Sequence, residues 1–410
     1  METGGNQLVP VRASERYVIL DALRGFALLG ICMANFPEFS LFTFLKPEAV
    51  VEMPSAEVDK VVRFLMYMFV DGKFYTLFSL LFGIGFSIII RHVAQRGGNG
   101  LHVFYRRMLL LLVIGFLHLM FIWSGDILML YALMGMLLPL FRNLSGKRLI
   151  PWAMALLFFP IVVDALCELT GTSLSLPAVR MQQFYCAKYG ITEDNFAYWL
   201  RDAEDYGGVF QFLVQGACVR LQEFVDGNRY FKVLGLFLIG FYIGRERMYA
   251  NLGAWKCQLE KIFRYGLLIG LPSACLYACS AMHHQLWGLT SHSVLYFLNV
   301  YALGFAYAAG ICLLYLRGKN WGIWHYLAAP GRMALTDYIG QSVIGMFLFY
   351  GIGCGLGAGM GLVHTECIVL GVYLFQVLFS CLWLSVFRFG PLEWIWRMLT
   401  YGKWFPLCKR

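Results

Sequence analysis

Several short segments of this 410-residue chain place ionisable side chains inside otherwise apolar stretches. A charge taken out of water is costly, so each such residue is a candidate for function. The most suggestive pair is His118 and Asp126. A tight turn at Ser124-Gly125 can bring Asp126 back toward His118. A histidine oriented by a carboxylate has the geometry of a general base. The same pair would also serve as a structural tie at a membrane interface. Asp21 and Arg24 stand three apart on one helix face and can pair. Arg24 suits an anionic group such as phosphate, or else the pair anchors a helix end. Asn35 follows Arg24 by nearly three turns and returns to the same face. Lys73 needs a partner or a water-filled cavity. Asp71 is two residues away, which is poor helical geometry, so the partner is expected on another helix. In Gly331-Arg332-Met333-Ala334-Leu335-Thr336-Asp337-Tyr338, continued by Gln341 and Ser342, Asp337 and Gln341 share one face of an apolar helix.

The elements that must position these groups are membrane helices. Hydrophobic residues make up 60% of the chain and charged ones 14%, with a mean hydropathy of +0.65. Soluble domains are roughly 25% charged, so lipid must be the solvent here. Aromatics at 17% suit two interfacial belts. About ten spans of bilayer length are expected, at 19–36, 64–90, 105–123, 126–141, 149–166, 230–244, 262–281, 294–316, 335–353 and 365–387. Residues 209–225 are interrupted by Arg220 and Glu223 and read as an interfacial or re-entrant helix.

Basic loops alternate with acidic ones. Arg12 and Arg16, the 91–107 segment with Arg91 and Arg96, Arg142 to Arg148, Arg245 to Arg264, Arg317 to Arg332 and Arg388 to Arg410 fall on one side. Glu38 to Asp59 and Glu193 to Asp205 fall on the other. The positive-inside rule then puts both termini in the cytoplasm. The expected fold is an all-α polytopic bundle of about ten helices. Its expected parts are an N-terminal bundle at 1–166, an extracytoplasmic cap at 167–229 and a C-terminal membrane region at 230–410. The polar lead from Met1 to Glu15, with Pro10, argues against a cleavable signal peptide. The net charge of +9 comes from these loop clusters and is no nucleic-acid signal. The 12 cysteines are scattered, with no CxxC, and no metal site is expected.

Five segments together resemble the YeiB-type family of bacterial inner-membrane proteins: LDALRGFALLGICMAN at 20–35, KFYTLFSLLFGIG at 73–85, GFLHLMFIWSGDILMLYALMG at 115–135, GRMALTDYIGQS at 331–342 and GPLEWIWRMLTYG at 390–402. Asp337 departs from the asparagine usual in that family, and a carboxylate there needs a proton or a cation. The first segment also resembles the opening helix of a wider group of transmembrane acyltransferases. That resemblance implies acyl-CoA as donor substrate, with Arg24, Arg106, Arg107 and Arg332 facing its phosphates from the cytoplasm. It implies an outer acceptor site lined by Lys73, His118 and Asp126, with His118 as base. A small-molecule transporter and a non-catalytic membrane protein are the competing readings.

Overall fold

The structure is a computed structural model that describes residues 16–95 and 99–409. The lead before Arg16, with Pro10, Arg12 and Glu15, and also Arg96 and Arg410, lie outside the described residues. The chain is all-helical. In order come α1 Val18–Phe39, α2 Pro47–Val51, α3 Ala56–Phe69, α4 Lys73–Ala94, α5 Gly100–Phe121, α6 Leu128–Leu137, α7 Gly146–Thr170, α8 Leu176–Tyr189 and α9 Tyr206–Asp226. Then follow α10 Arg229–Arg245, α11 Lys256–Met282, α12 Leu289–Tyr296, α13 Ala302–Arg317, α14 Ile323–Arg332, α15 Ala334–Phe349, α16 Leu362–Val386 and α17 Pro391–Tyr401.

Among the described residues, 7 helical stretches are long and apolar enough to cross a membrane, and two shorter apolar helices, Leu128–Phe141 and Ala334–Phe349, accompany them. The outward faces carry the same message. On α16, Leu370, Leu374, Leu378 and Leu382 are all exposed, a continuous apolar stripe that water would not tolerate and hydrocarbon does.

The stretch expected as one span at 64–90 is two helices. Gly72 sits at φ 76°, the left-handed region that glycine enters without a Cβ penalty, and it ends α3 and opens α4. The break frees Asp71 from any helix. The span expected at 294–316 is one helical stretch, Leu289–Arg317, that carries a π-helical turn at Phe297–Tyr301 between α12 and α13. The interrupted stretch at 209–225 is α9, packed against α5, α8 and α10.

The centre of the bundle is α1, which packs on α14, α15, α16 and α4. Its contact with α14 is backbone to backbone. A Cβ on Gly331 would lie 1.8 Å from the Asp21 carbonyl oxygen, and one on Gly25 would lie 1.8 Å from that of Leu327. Two glycines thus allow this crossing, as small residues do in membrane helix pairs. They lock Arg24 and Arg332 onto one end of the bundle. α10 packs between α4 and α7 and closes the other flank.

Candidate functional site: a chamber lined from both ends of the bundle

A cavity of about 1010 Å³ runs along α1. Its wall includes Arg16 just before α1 and Glu38 at the far end of that helix. They are twenty-two positions apart, all but the first two helical, or about 33 Å. The chamber therefore has two ends of different character.

At the first end the wall holds Arg16, Arg24, Arg107, Arg332 and Arg397, with Asp21 and Glu393 the carboxylates among them. Asp21 is taken up by Arg24 at 2.7 Å and Arg16 at 3.7 Å. Glu393 is spent on the start of α15, accepting from the backbone N–H of Leu335 at 2.7 Å and of Thr336 at 3.1 Å, and from the Thr336 hydroxyl at 2.6 Å. A carboxylate at a helix N-terminus is favourably placed and has little left for the arginines. Arg107 lies 3.5 Å over the Trp396 ring. Arg397, on the interfacial helix α17, is pushed down to about 9 by burial, with the Arg16 and Arg107 charges adding to the effect. This end is short of negative charge.

Beyond the arginines the wall turns apolar, with Gly30, Ile31, Phe78, Leu111 and Leu128 on it beside the Tyr75 and Tyr131 rings. Phe82, Gly85, Phe86 and Phe104 flank Arg107 at the first end, and a Cβ built on Gly85 meets nothing within 4 Å.

The far end is polar and mixed. Asn35, Glu38, Asp71, Asp164, Arg220, Lys232 and Tyr296 line it. Arg220 is clamped by the Ser124 carbonyl at 3.0 Å, Glu223 at 2.5 Å and Glu38 at 3.7 Å. Asp71 accepts from the Tyr277 hydroxyl at 2.5 Å. Asp164 accepts from Asn228 at 2.7 Å and from the Ser293 hydroxyl. Lys232 is buried and has no hydrogen bond or ion pair among the described residues; its ammonium sits 3.9 Å from the centre of the Tyr296 ring.

The structure sorts the sequence candidates into three groups. Asp21, Arg24, Asn35, Arg107 and Arg332 line the chamber. Arg106 is exposed, outside the chamber wall. Lys73, Asp337 and Gln341 are buried as ties between elements. Lys73 donates to the Tyr67 carbonyl at 2.8 Å and lies over the Tyr277 ring, so its partners are a carbonyl and an aromatic face. Asp337 accepts from Ser380 at 2.9 Å, with no cation in ion-pair reach among the described residues, and Gln341 donates to Gln376 at 2.9 Å. His118 and Asp126 form the third group. His118 Nδ1 and Asp126 Oδ1 are 2.9 Å apart, and the other Asp126 oxygen accepts from the Met129 N–H at 2.8 Å. His118 Nε2 is 2.9 Å from the Ser342 hydroxyl. The three side chains sit one layer behind the wall, where Gly125, Ile127 and Tyr338 face the cavity. Sequence reasoning did not single out Glu38, Lys232, Arg397 or Tyr338 as site residues. Lys232 carried a usable signal, a lysine two residues into an apolar span.

A family model described as "protein of unknown function (DUF418)" matches residues 243–403. A protein of Bacillus acidopullulyticus described as an uncharacterized 39.9 kDa protein in the amylase 3′ region is 30% identical over 97% of each chain. The chain belongs to the YeiB-like DUF418 family. Other relatives in this family are YxaH of Bacillus subtilis (strain 168), 29% identical over 99% of each chain, and YeiB of Escherichia coli (strain K12), 29% identical over 94% of this chain and 96% of that one. No solved structure matches. The DUF418 match begins in α10 and takes in Arg332, Tyr338, Ser342 and Arg397, so it covers one wall of the chamber.

Proposed function

We propose that this membrane protein passes an acyl group from an acyl-CoA bound at the arginine-rich end to an acceptor in the far compartment. In this reading the arginine-rich end faces the cytoplasm of a bacterium and the protein lies in the inner membrane. The observation that carries it is the sequence of linings along one cavity: guanidiniums short of counter-charge, then an apolar midsection, then a polar chamber. That order suits a ligand with a polyanionic head and a slender uncharged arm. Arg24, Arg107, Arg332 and Arg397 would hold the phosphates. The arm would pass Phe78, Leu111 and Leu128. The acceptor would sit among Asn35, Lys232 and Tyr296. His118, oriented by Asp126, supplies the proton transfer. Because the chamber continues past the middle of α1, the arm has a route toward the level of His118.

The test uses purified full-length protein in lipid nanodiscs with ¹⁴C-acetyl-CoA and an envelope extract as acceptor source. Bound label, and label moved from the thioester to an acceptor, are expected. If the protein neither binds nor consumes acetyl-CoA and His118→Ala has no phenotype, the reading is wrong. A chamber lined at both ends also favours a second reading, transport of a small anion. Accumulation of intact label inside proteoliposomes, with no transfer, selects that one.

A further inference from the structure

A base can only take a proton from what it touches. Nδ1 of His118 is committed to Asp126 at 2.9 Å. With Asp126 accepting from Nδ1–H, Nε2 carries the lone pair, and what stands against it at 2.9 Å is the Ser342 hydroxyl. The orienting carboxylate is itself fixed by the Met129 N–H. These three groups come from the end of α5, the turn after it and the middle of α15. No nearness in sequence forces them together, since His118 and Ser342 are 224 residues apart. Nucleophile, base and orienting acid, each in hydrogen-bond reach of the next, form the constellation that activates a hydroxyl for covalent catalysis. All three are essentially shut off from solvent, at 1% exposure or less.

A fourth group completes the arrangement. Tyr338 lies one turn before Ser342 on α15 and lines the chamber, and its ring centre is 5.3 Å from that of His118. Its hydroxyl is buried without a hydrogen-bond partner among the described residues. It is a free donor beside the wall, placed to meet an oxyanion.

We propose that Ser342 is a nucleophile that carries the acyl group as an ester between donor and acceptor. The proposal rests on the acyl-transfer reading above and adds a covalent intermediate to it. In the first half-reaction the Ser342 oxygen attacks the thioester carbonyl carbon and its proton passes to His118 Nε2. The C–O bond forms, the C–S bond breaks, and the proton leaves on the departing thiol. The tetrahedral oxyanion is met by the Tyr338 hydroxyl. In the second half an acceptor hydroxyl or amine gives its proton to Nε2 and attacks the ester carbon, and that proton ends on the Ser342 oxygen.

A covalent route predicts exchange without any acceptor. Protein in nanodiscs is incubated with unlabelled acetyl-CoA and ³H-CoA, and the appearance of ³H in acetyl-CoA is measured. The wild type is expected to exchange and to yield an acetylated Ser342 peptide after acid quench. Ser342→Ala is expected to lose exchange by at least about 10³-fold while still binding CoA. Ser342→Cys is expected to restore exchange through a thioester, which a merely structural hydroxyl would not require. If label moves from acetyl-CoA to an acceptor with no exchange and no Ser342 ester, the acyl-transfer reading stands and the nucleophile is refuted. If acetyl-CoA is neither bound nor consumed by the wild type, both fall.

Discussion

Gly85 offers a way to narrow the chamber at its arginine-rich end, where it lies level with Arg107. It lies twelve residues into α4, on the apolar wall between Phe82 and Phe86, and a Cβ there meets nothing within 4 Å. The volume of about 1010 Å³, spread over about 33 Å, leaves a mean cross-section of about 30 Å², little more than one extended chain needs. Carbon atoms keep about 3.5 Å apart, so one added carbon excludes others from about 38 Å², more than the mean section. Gly85→Leu adds several such carbons on a helix-favouring residue. Replacing glycine inside a helix gains about 1 kcal/mol of propensity, so the fold should be at least as stable. A misplacement of about 1 Å at a reacting centre can cost about 10²-fold, and here the arm has to move by more. We expect Gly85→Leu to lower acetyl transfer by at least about 10²-fold, to weaken CoA binding beside Arg107, and to keep or raise the melting temperature. Gly85→Ala, the smaller control, should retain most transfer. The assay is release of free CoA thiol from acetyl-CoA in nanodiscs, beside calorimetry of CoA binding. A Gly85→Leu protein as stable and as active as the wild type would show that no arm passes this section.

Three further outcomes follow from the same geometry. The cation of Arg397 binds the anion and is lost as pH rises through about 9, so CoA affinity should fall between pH 8 and pH 10, and Arg397→Gln should weaken binding by about 10-fold or more and flatten that fall, read by calorimetry across pH. Gly331→Ala forces a Cβ against the Asp21 carbonyl and should destabilise by about 1–3 kcal/mol, seen as a lower melting temperature in detergent, whereas alanine at Gly371, where a Cβ meets open space, should not. Arg220→Ala leaves Glu38, Glu223 and the Ser124 carbonyl without their shared cation and should cost about 3–5 kcal/mol, measured by thermal unfolding and by protease cutting between α8 and α9.

The apolar spans were legible because a bilayer imposes length and polarity directly on sequence. The face shared by Asp21, Arg24 and Asn35 was legible because helical spacing fixes which residues look the same way, and all three line the chamber. Spacing says nothing about what a face looks at. Lys73, Asp337 and Gln341 carry the same signal of intramembrane polarity, yet they end on a carbonyl and on α16 side chains. The clamp on Arg220 joins residues from α1, the turn after α5 and α9, a long-range contact that one sequence does not encode locally. The break at Gly72 falls on Asp71-Gly72, a turn dipeptide outweighed by the apolar residues on both sides of it, and the left-handed backbone there takes Asp71 out of the helix.

A cavity that reaches toward both faces of a membrane is also a leak to be prevented. Each elementary charge crossing 100 mV releases about 2.3 kcal/mol, and an open aqueous path would drain that store continuously. Phe78, Leu111 and Leu128 line the section where such a path would have to stay wet. Narrow apolar walls shed water, and ions do not enter where water will not. The walls that would admit an uncharged arm therefore refuse its phosphates, and they refuse sodium and chloride for the same reason. On the acyl-transfer reading the midsection would be an insulator, letting a chemical group change compartments while the membrane stays electrically tight.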